Sequence, residues 1–333
     1  MIIKLLISLI PVLLFLILLL YLDSIKLVSK RLLLYCLGWG MVSSGLSYFL
    51  NTFLISQLQW NFDTYSGFIA PLVEEVLKFT LLWILIKSNR IGFMIDAAIY
   101  GFSIGAAFSL AENLFYLFRY SAGETNPVVW IIRGFGTAVM HGGATAIFGI
   151  ICMSALNRRS NLWIATVYGA LAAIFIHGIF NQFLVSPLIS TVIIVLIIPI
   201  TIITIFNLNE KSIRDWLELE FDSEINILKM IRKGLFSETK TGIYLVSIKT
   251  HFPAEMVVDM YCYISLYLEL SIKAKSLIML KENGLAIPHD PTLPHKLQEL
   301  KVLRKSIGRG GCLAISPVLR MNRKDLWKLS LLE

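Results

Sequence analysis

Seven apolar stretches separated by short polar breaks fill the first two thirds of the chain, at about residues 2–22, 32–56, 67–87, 92–118, 128–156, 162–186 and 188–206. Each is about 18 residues or longer, the length an α-helix needs to cross the hydrocarbon core of a bilayer. The last follows Pro187 after almost no loop and is read as a span, not a re-entrant piece. After Asn207 the rhythm changes. Residues 211–232 set Trp216, Leu217, Leu219, Ile225, Ile227, Leu228 and Ile231 among charges, the pattern of an amphipathic helix. A longer helix is expected from near Pro253, a favoured first-turn residue, to about Lys281. Gly284, Pro288, Pro291 and Pro294 mark a loop over 284–295, with shorter helices beyond it. The pattern predicts an all-α protein. Residues 1–206 form a polytopic membrane helix bundle of about seven transmembrane helices, and residues 207–333 form a C-terminal helical cytosolic domain large enough for its own core.

Charge sharpens this division. The 333 residues are 56% apolar, and residues 1–206 hold 11 Lys/Arg against 7 Asp/Glu, whereas residues 207–333 hold 19 against 15. Both parts carry the same small positive excess, so basicity belongs to membrane orientation and gives no footing for nucleic acid. Lys26, Lys30 and Arg31 follow the first stretch, Lys87 and Arg90 the third, and Arg158 and Arg159 the fifth, while the loops after the second and sixth have no basic residue. The positive-inside rule then places the N-terminus outside and the tail in the cytoplasm, with Lys4, Arg119 and Arg133 as mild exceptions. The first stretch is too long for the apolar part of a cleaved signal peptide and lacks an A-x-A site. Cys36, Cys152, Cys262 and Cys312 are too scattered for a disulfide framework. Gly101 and Gly105, and Gly38, Gly40 and Gly45, have the spacing of closely packed helices. In the tail, Gly308-Arg-Gly-Gly311 has neither the preceding strand nor the Lys-Ser/Thr of a phosphate loop, and His251, His289 and His295 read as loop residues.

The third stretch carries the chemistry. It holds Glu74, Glu75 and Lys78 at bilayer depth, where each charge costs roughly 2.5–3.5 kcal/mol or more. Glu74 and Lys78 stand at i,i+4 and share a helix face, whereas Glu75 points about 100° away with no partner in its own helix. Such charges either bridge helices or line a functional site. Three further residues favour the second reading: Glu112 in the fourth stretch, His141 in the fifth, and His177, one turn before Asn181, in the sixth. Counted at 1.5 Å per residue from the expected outer ends, Glu75, Glu112, His141 and His177 lie roughly 9–20 Å deep, on helices of opposite direction. Asp96 and Arg133 fall near the ends of stretches and read as interfacial. A glutamate with two histidines is one of the ligand sets of catalytic zinc, with a further carboxylate to take the proton of the bound water. The same residues would also serve a metal-free route, with a glutamate-activated water and His and Asn as oxyanion donors.

These residues are similar to those of a known family. Glu74-Glu75-Val76-Leu77-Lys78 resembles the E-E-x-x-K motif of the PrsW intramembrane proteases, which are related to the CAAX prenyl proteases. Phe108-Ser-Leu-Ala-Glu112 resembles the F-x-x-x-E motif of that family, and His141 and His177-x-x-x-Asn181 its later histidine motifs. The likeness covers roughly residues 65–185. It implies an intramembrane endopeptidase, usually classed as a metalloprotease, that cuts single-pass membrane proteins such as an anti-sigma factor near the outer face of the cell membrane. On these motifs Glu75 is expected as general base, with Glu74 and Lys78 orienting its helix. Glu112, His141 and His177 would hold a metal, zinc by the donor set, and Asn181 would donate to the oxyanion. The resemblance says nothing of the tail, which is left to a cytosolic partner or a regulatory task. Membrane carboxylates and histidines also build ion- or proton-coupled transporters, but no matching halves are visible. A catalytically silent scaffold or receptor would not need the full motif set.

Overall fold

The computed structural model describes residues 2–22, 28–120, 126–158, 160–182, 184–283, 285–286 and 290–319. Lys26, Arg159, Gly284, Pro288 and His289 lie outside the described residues, as do the side chains of Trp216, Leu217 and Leu219. Every regular element among the described residues is helical. The chain divides into two compact units, Met1–Asn209 and Glu210–Glu333, and each is described by itself.

The first unit holds α1 (Ile2–Leu22), α2 (Lys30–Leu58), α3 (Ala70–Lys87), α4 (Met94–Tyr120), α5 (Ala138–Asn157), α6 (Leu162–Gln182) and most of the apolar part of α7 (Pro187–Arg232). Among the described residues, five stretches are long and apolar enough to cross a membrane: Lys30–Leu58, Met94–Arg119, Pro127–Asn157, Leu162–Gln182 and Pro187–Leu208. The other two expected spans also fold as helices, α1 and α3. In α3 the apolar run is interrupted by Glu74, Glu75, Lys78 and Lys87. One difference from the sequence reading is the seventh stretch. It does not stop near residue 206 but continues as one helix to Arg232, because no glycine or proline interrupts residues 200–232.

The bundle is built around α4 and α5. Helix α5 is almost wholly buried between α4 and α6, and α2 lies against α4. Glycine permits this. A Cβ on Gly105 would lie 2.1 Å from the backbone oxygen of His141, and one on Gly40 would lie 2.3 Å from that of Ile104. The small-residue spacing is thus a backbone-to-backbone contact. Around this centre the polarity is inverted relative to a water-soluble domain. α2, α6 and α7 turn Phe49, Phe53, Trp163, Phe175, Leu196 and Ile200 outward, as helices facing lipid do.

Two π-helical turns precede the site-bearing helices: Tyr65–Ile69 runs into α3, and Ile132–Thr137 into α5. Each is reached through a capped helical turn. Asn61 accepts from the Asp63 N–H, and Asn126 accepts from the Val128 N–H with Pro127 at the first helical position. Asp96, expected at an interface, accepts from the N–H groups of Gly92 and Phe93 and so starts α4.

The second unit packs α8 (Lys240–Ile248), α9 (Ala254–Glu282) and α10 (Leu293–Leu319) with the end of α7 around Met260, Ile264, Tyr267, Leu300, Ile307 and Ile315. Helix α9 begins at Ala254, with Pro253 at the N-cap position, one residue before the first turn expected for it. Helix α10 breaks at Gly308, whose φ of 61° is open to glycine, so the Gly308–Gly311 run makes a helix break. His295 stands exposed on α10, not in a loop. Thr292 donates twice to the Asp290 carboxylate, which holds that group down to about 2. Lys275 is fully buried, and its charge is met by Glu224 at 3.2 Å, which also accepts from Ser271.

Candidate active site

Four helices bring their polar residues to one place. Glu75 is fully buried on the inner face of α3, and its Oε1 takes two contacts: Lys78 Nζ at 2.5 Å and His177 Nδ1, from α6, at 2.8 Å. The i,i+4 spacing suggests that Lys78 pairs with Glu74. The ammonium instead reaches Glu75 at i,i+3 and His141 Nδ1 on α5 at 2.9 Å. Lys78 points into the bundle, where two acceptors converge, so Glu75 does have a partner within its own helix.

These contacts assign the ring protons. A carboxylate only accepts, so His177 carries its proton on Nδ1, and Nε2 keeps its lone pair, 3.8 Å from Glu74 Oε2. Lys78 donates to His141 Nδ1, so that ring carries its proton on Nε2, 3.3 Å from Glu112 Oε2. The two imidazoles meet edge to face, 4.6 Å between centroids. Phe108 packs against both His141 and the Lys78 ammonium, which explains the phenylalanine that opens the F-x-x-x-E motif.

Around this centre stand residues that the sequence reading did not place. Asn51 of α2 donates to Glu74 Oε1 at 3.2 Å and accepts from the Tyr65 hydroxyl at 2.9 Å. Arg133, expected at the interface, lies 3.4 Å from Glu112 Oε1, stacks on Tyr116, and exchanges hydrogen bonds with Asn113. An amide inside an apolar stretch was the available signal for Asn51. Nothing in the pattern marked the two π turns. Asn181 uses one amide N–H on the Ser66 carbonyl at 3.1 Å, tying α6 to the first π turn.

The donor set fits a metal ion once Lys78 releases His141 Nδ1, the ring nitrogen that keeps a lone pair. Glu74, His141 and His177 each offer one ligand atom, and all lie within 4.8 Å of one another. Ligands around a tetrahedral ion stand about 3.3–3.6 Å apart, so about an ångström of contraction closes the group. Of the residues expected as ligands, His141 and His177 belong to it, and Glu74 supplies the carboxylate. Glu112 sits between His141 and Arg133. Buried Oε2 of Glu75 has no partner among the described residues, and Oε2 of Glu112 and Nη2 of Arg133 have only ion pairs, at 3.3 and 3.4 Å, in place of well-formed hydrogen bonds. Buried polar atoms are nearly always satisfied, so an orphaned carboxylate oxygen beside two weakly held groups calls for water, substrate or an ion.

Residues 28–205 match the family model described as PrsW family intramembrane metalloprotease. No curated protein matches the chain, and no solved structure does.

Proposed function

The chain belongs to the PrsW family of intramembrane metalloproteases, and on that premise we propose that it is an endopeptidase cutting single-pass membrane proteins close to the outer membrane face. A membrane-anchored regulator such as an anti-sigma factor is the substrate type the family implies. The observation that carries this reading is the buried juxtaposition of Glu75, with one oxygen engaged and one orphaned, and the Glu74, His141 and His177 donor group.

The roles follow from the contacts. Oε1 of Glu75 is fixed by Lys78 and by the Nδ1 proton of His177, leaving Oε2 to accept the proton of an attacking water. The hydroxide adds to the scissile carbonyl carbon, and the C–N bond breaks as Glu75 returns that proton to the leaving nitrogen. A second N–H of Asn181 and the Nη2 of Arg133, held only by a 3.4 Å ion pair to Glu112, are the donors at hand for the oxyanion. Glu74, His141 and His177 would hold a metal, zinc by the donor set, and Glu112 would hold His141 from the other side. Such an ion supplies Lewis acidity at the carbonyl and makes its bound water acidic. A peptide bond in a helix is shielded, so the substrate has to unwind locally to present its carbonyl.

In this reading the N-terminus is outside, and residues 207–333 are a cytoplasmic domain that binds a partner or regulates access without contributing to the chemistry. Co-expression with tagged single-pass proteins tests the function. A fragment should appear with the wild type and be missing with Glu75→Gln. Identical fragments from both, or none across a broad substrate panel with proton movement in liposomes, would overturn it.

A further inference from the structure

Glu74 is the carboxylate of the ion-holding group, yet Lys78 turns away from it to Glu75 and His141. Its orientation is set from elsewhere. Oε1 accepts from Asn51 Nδ2 at 3.2 Å, and Asn51 Oδ1 in turn accepts from the Tyr65 hydroxyl at 2.9 Å. Tyr65 is buried at the start of the first π turn, and Asn51 lies on α2. The chain of donors has one direction. A phenol donates to the amide oxygen, so the amide must present its NH2 to Glu74. With Oε1 engaged this way, Oε2 is the oxygen that faces His177 Nε2, at 3.8 Å.

The π turn that carries Tyr65 is itself fixed from the opposite side. Asn181 of α6 donates to the Ser66 carbonyl at 3.1 Å, and a Cβ on Gly67 would lie 3.2 Å from Gln182 of the same helix. Helix α6 also carries His177. The carboxylate of Glu74 and the ring it faces are thus held to a common frame through Tyr65, Asn51 and the π turn.

We propose that Asn51 and Tyr65 are positioning residues that orient the Glu74 carboxylate toward His177 and thereby set the affinity of the site for its metal ion. This rests on the reading of Glu74, His141 and His177 as ligands. Outer partners of metal ligands typically change affinity by about 10–100-fold when removed.

The test uses the purified full chain in detergent or nanodiscs, with the apparent zinc dissociation constant measured by competition with a chromophoric chelator. Asn51→Ala is expected to weaken zinc by about 10–100-fold and Tyr65→Phe by a smaller factor in the same direction. In a Glu74→Gln background, Asn51→Ala should add no further loss, because the relay then has no carboxylate to orient. Unchanged affinity in Tyr65→Phe and Asn51→Ala overturns the proposal, and so does an equal Asn51→Ala loss with and without Glu74. If Asn51→Ala does not fold, Tyr65→Phe, which keeps the ring, decides alone. A wild type that takes up no zinc, or takes it up regardless of His141→Ala and His177→Ala, overturns the ligand reading itself. That outcome is distinct from zinc held normally by a relay variant.

Discussion

Glu75 Oε1 and His177 Nδ1 lie 2.8 Å apart, both side chains buried, and this contact joins α3 to α6 at the centre of the bundle. It makes one residue serve two others. The carboxylate fixes the tautomer of His177, so that Nε2 is the atom left for coordination, and the same oxygen neutralises Lys78. A pair of this kind is chemically poised but structurally exacting, since removing one member leaves a buried charge behind.

Glu75→Gln is therefore expected to lower the rate of cleavage by at least about 10²–10⁴-fold, the usual contribution of a general base. It should also lower the melting temperature, because Lys78 keeps its ammonium and loses its counter-charge. Breaking a buried pair costs about 3–5 kcal/mol, and the amide oxygen recovers part of that. Glu75→Gln with Lys78→Met should melt higher than Glu75→Gln alone while remaining inactive. Thermal melts of the two variants with parallel cleavage assays check both halves.

The glycines make a paired prediction. Gly105→Ala puts a methyl group 2.1 Å from the His141 carbonyl oxygen and must push α4 from α5, at a cost of about 1–3 kcal/mol and with loss of activity through a displaced His141. Gly45→Ala meets nothing within 4 Å and removes a flexible residue from α2, so it should leave activity unchanged and match or raise stability. Equal effects from the two would contradict the close approach of α4 and α5.

Much of this site was legible because charge is costly inside an apolar stretch. Glu74, Glu75, Lys78, Glu112, His141 and His177 stood out for that reason, and Phe108 for its motif. The pairing was not legible. Spacing along α3 allows Lys78 to reach either glutamate, and the choice is made by His141 on another helix. Asn51, Tyr65 and Arg133 escaped because neutral amides, phenols and charges near a helix end are ordinary in membrane segments, and only tertiary contact gives them work. The π turns left no trace, since an extra residue in a helical turn alters hydrogen bonding without altering composition. The continuity of α7 past residue 206 was missed because the fall in hydropathy marks an environment and not a break in the backbone.

Orientation is tested by labelling in intact cells. With Cys262 replaced by serine, Asp63→Cys is expected to react with a membrane-impermeant thiol reagent, and Glu255→Cys to react only after permeabilisation. Both positions are exposed, so accessibility of the side chain does not limit the reaction. The opposite pattern would invert the topology and move the site to the cytoplasmic half.

Stopping the chain at residue 209, the boundary between the two compact units, removes the whole tail unit and leaves every proposed site residue in place. The shortened protein should insert and cleave a minimal substrate, with altered substrate preference or regulation. A folded, inserted protein without activity would show that the tail takes part in the chemistry.

The most direct measurement is the zinc content of purified protein by elemental analysis. Wild type should carry one zinc per chain. Glu75→Gln should retain it, Glu112→Gln should retain it with weakened affinity, and His141→Ala, His177→Ala and Glu74→Ala should lose it. Stoichiometric zinc that persists in the two histidine variants, or a fully active wild type without any metal, would contradict the account.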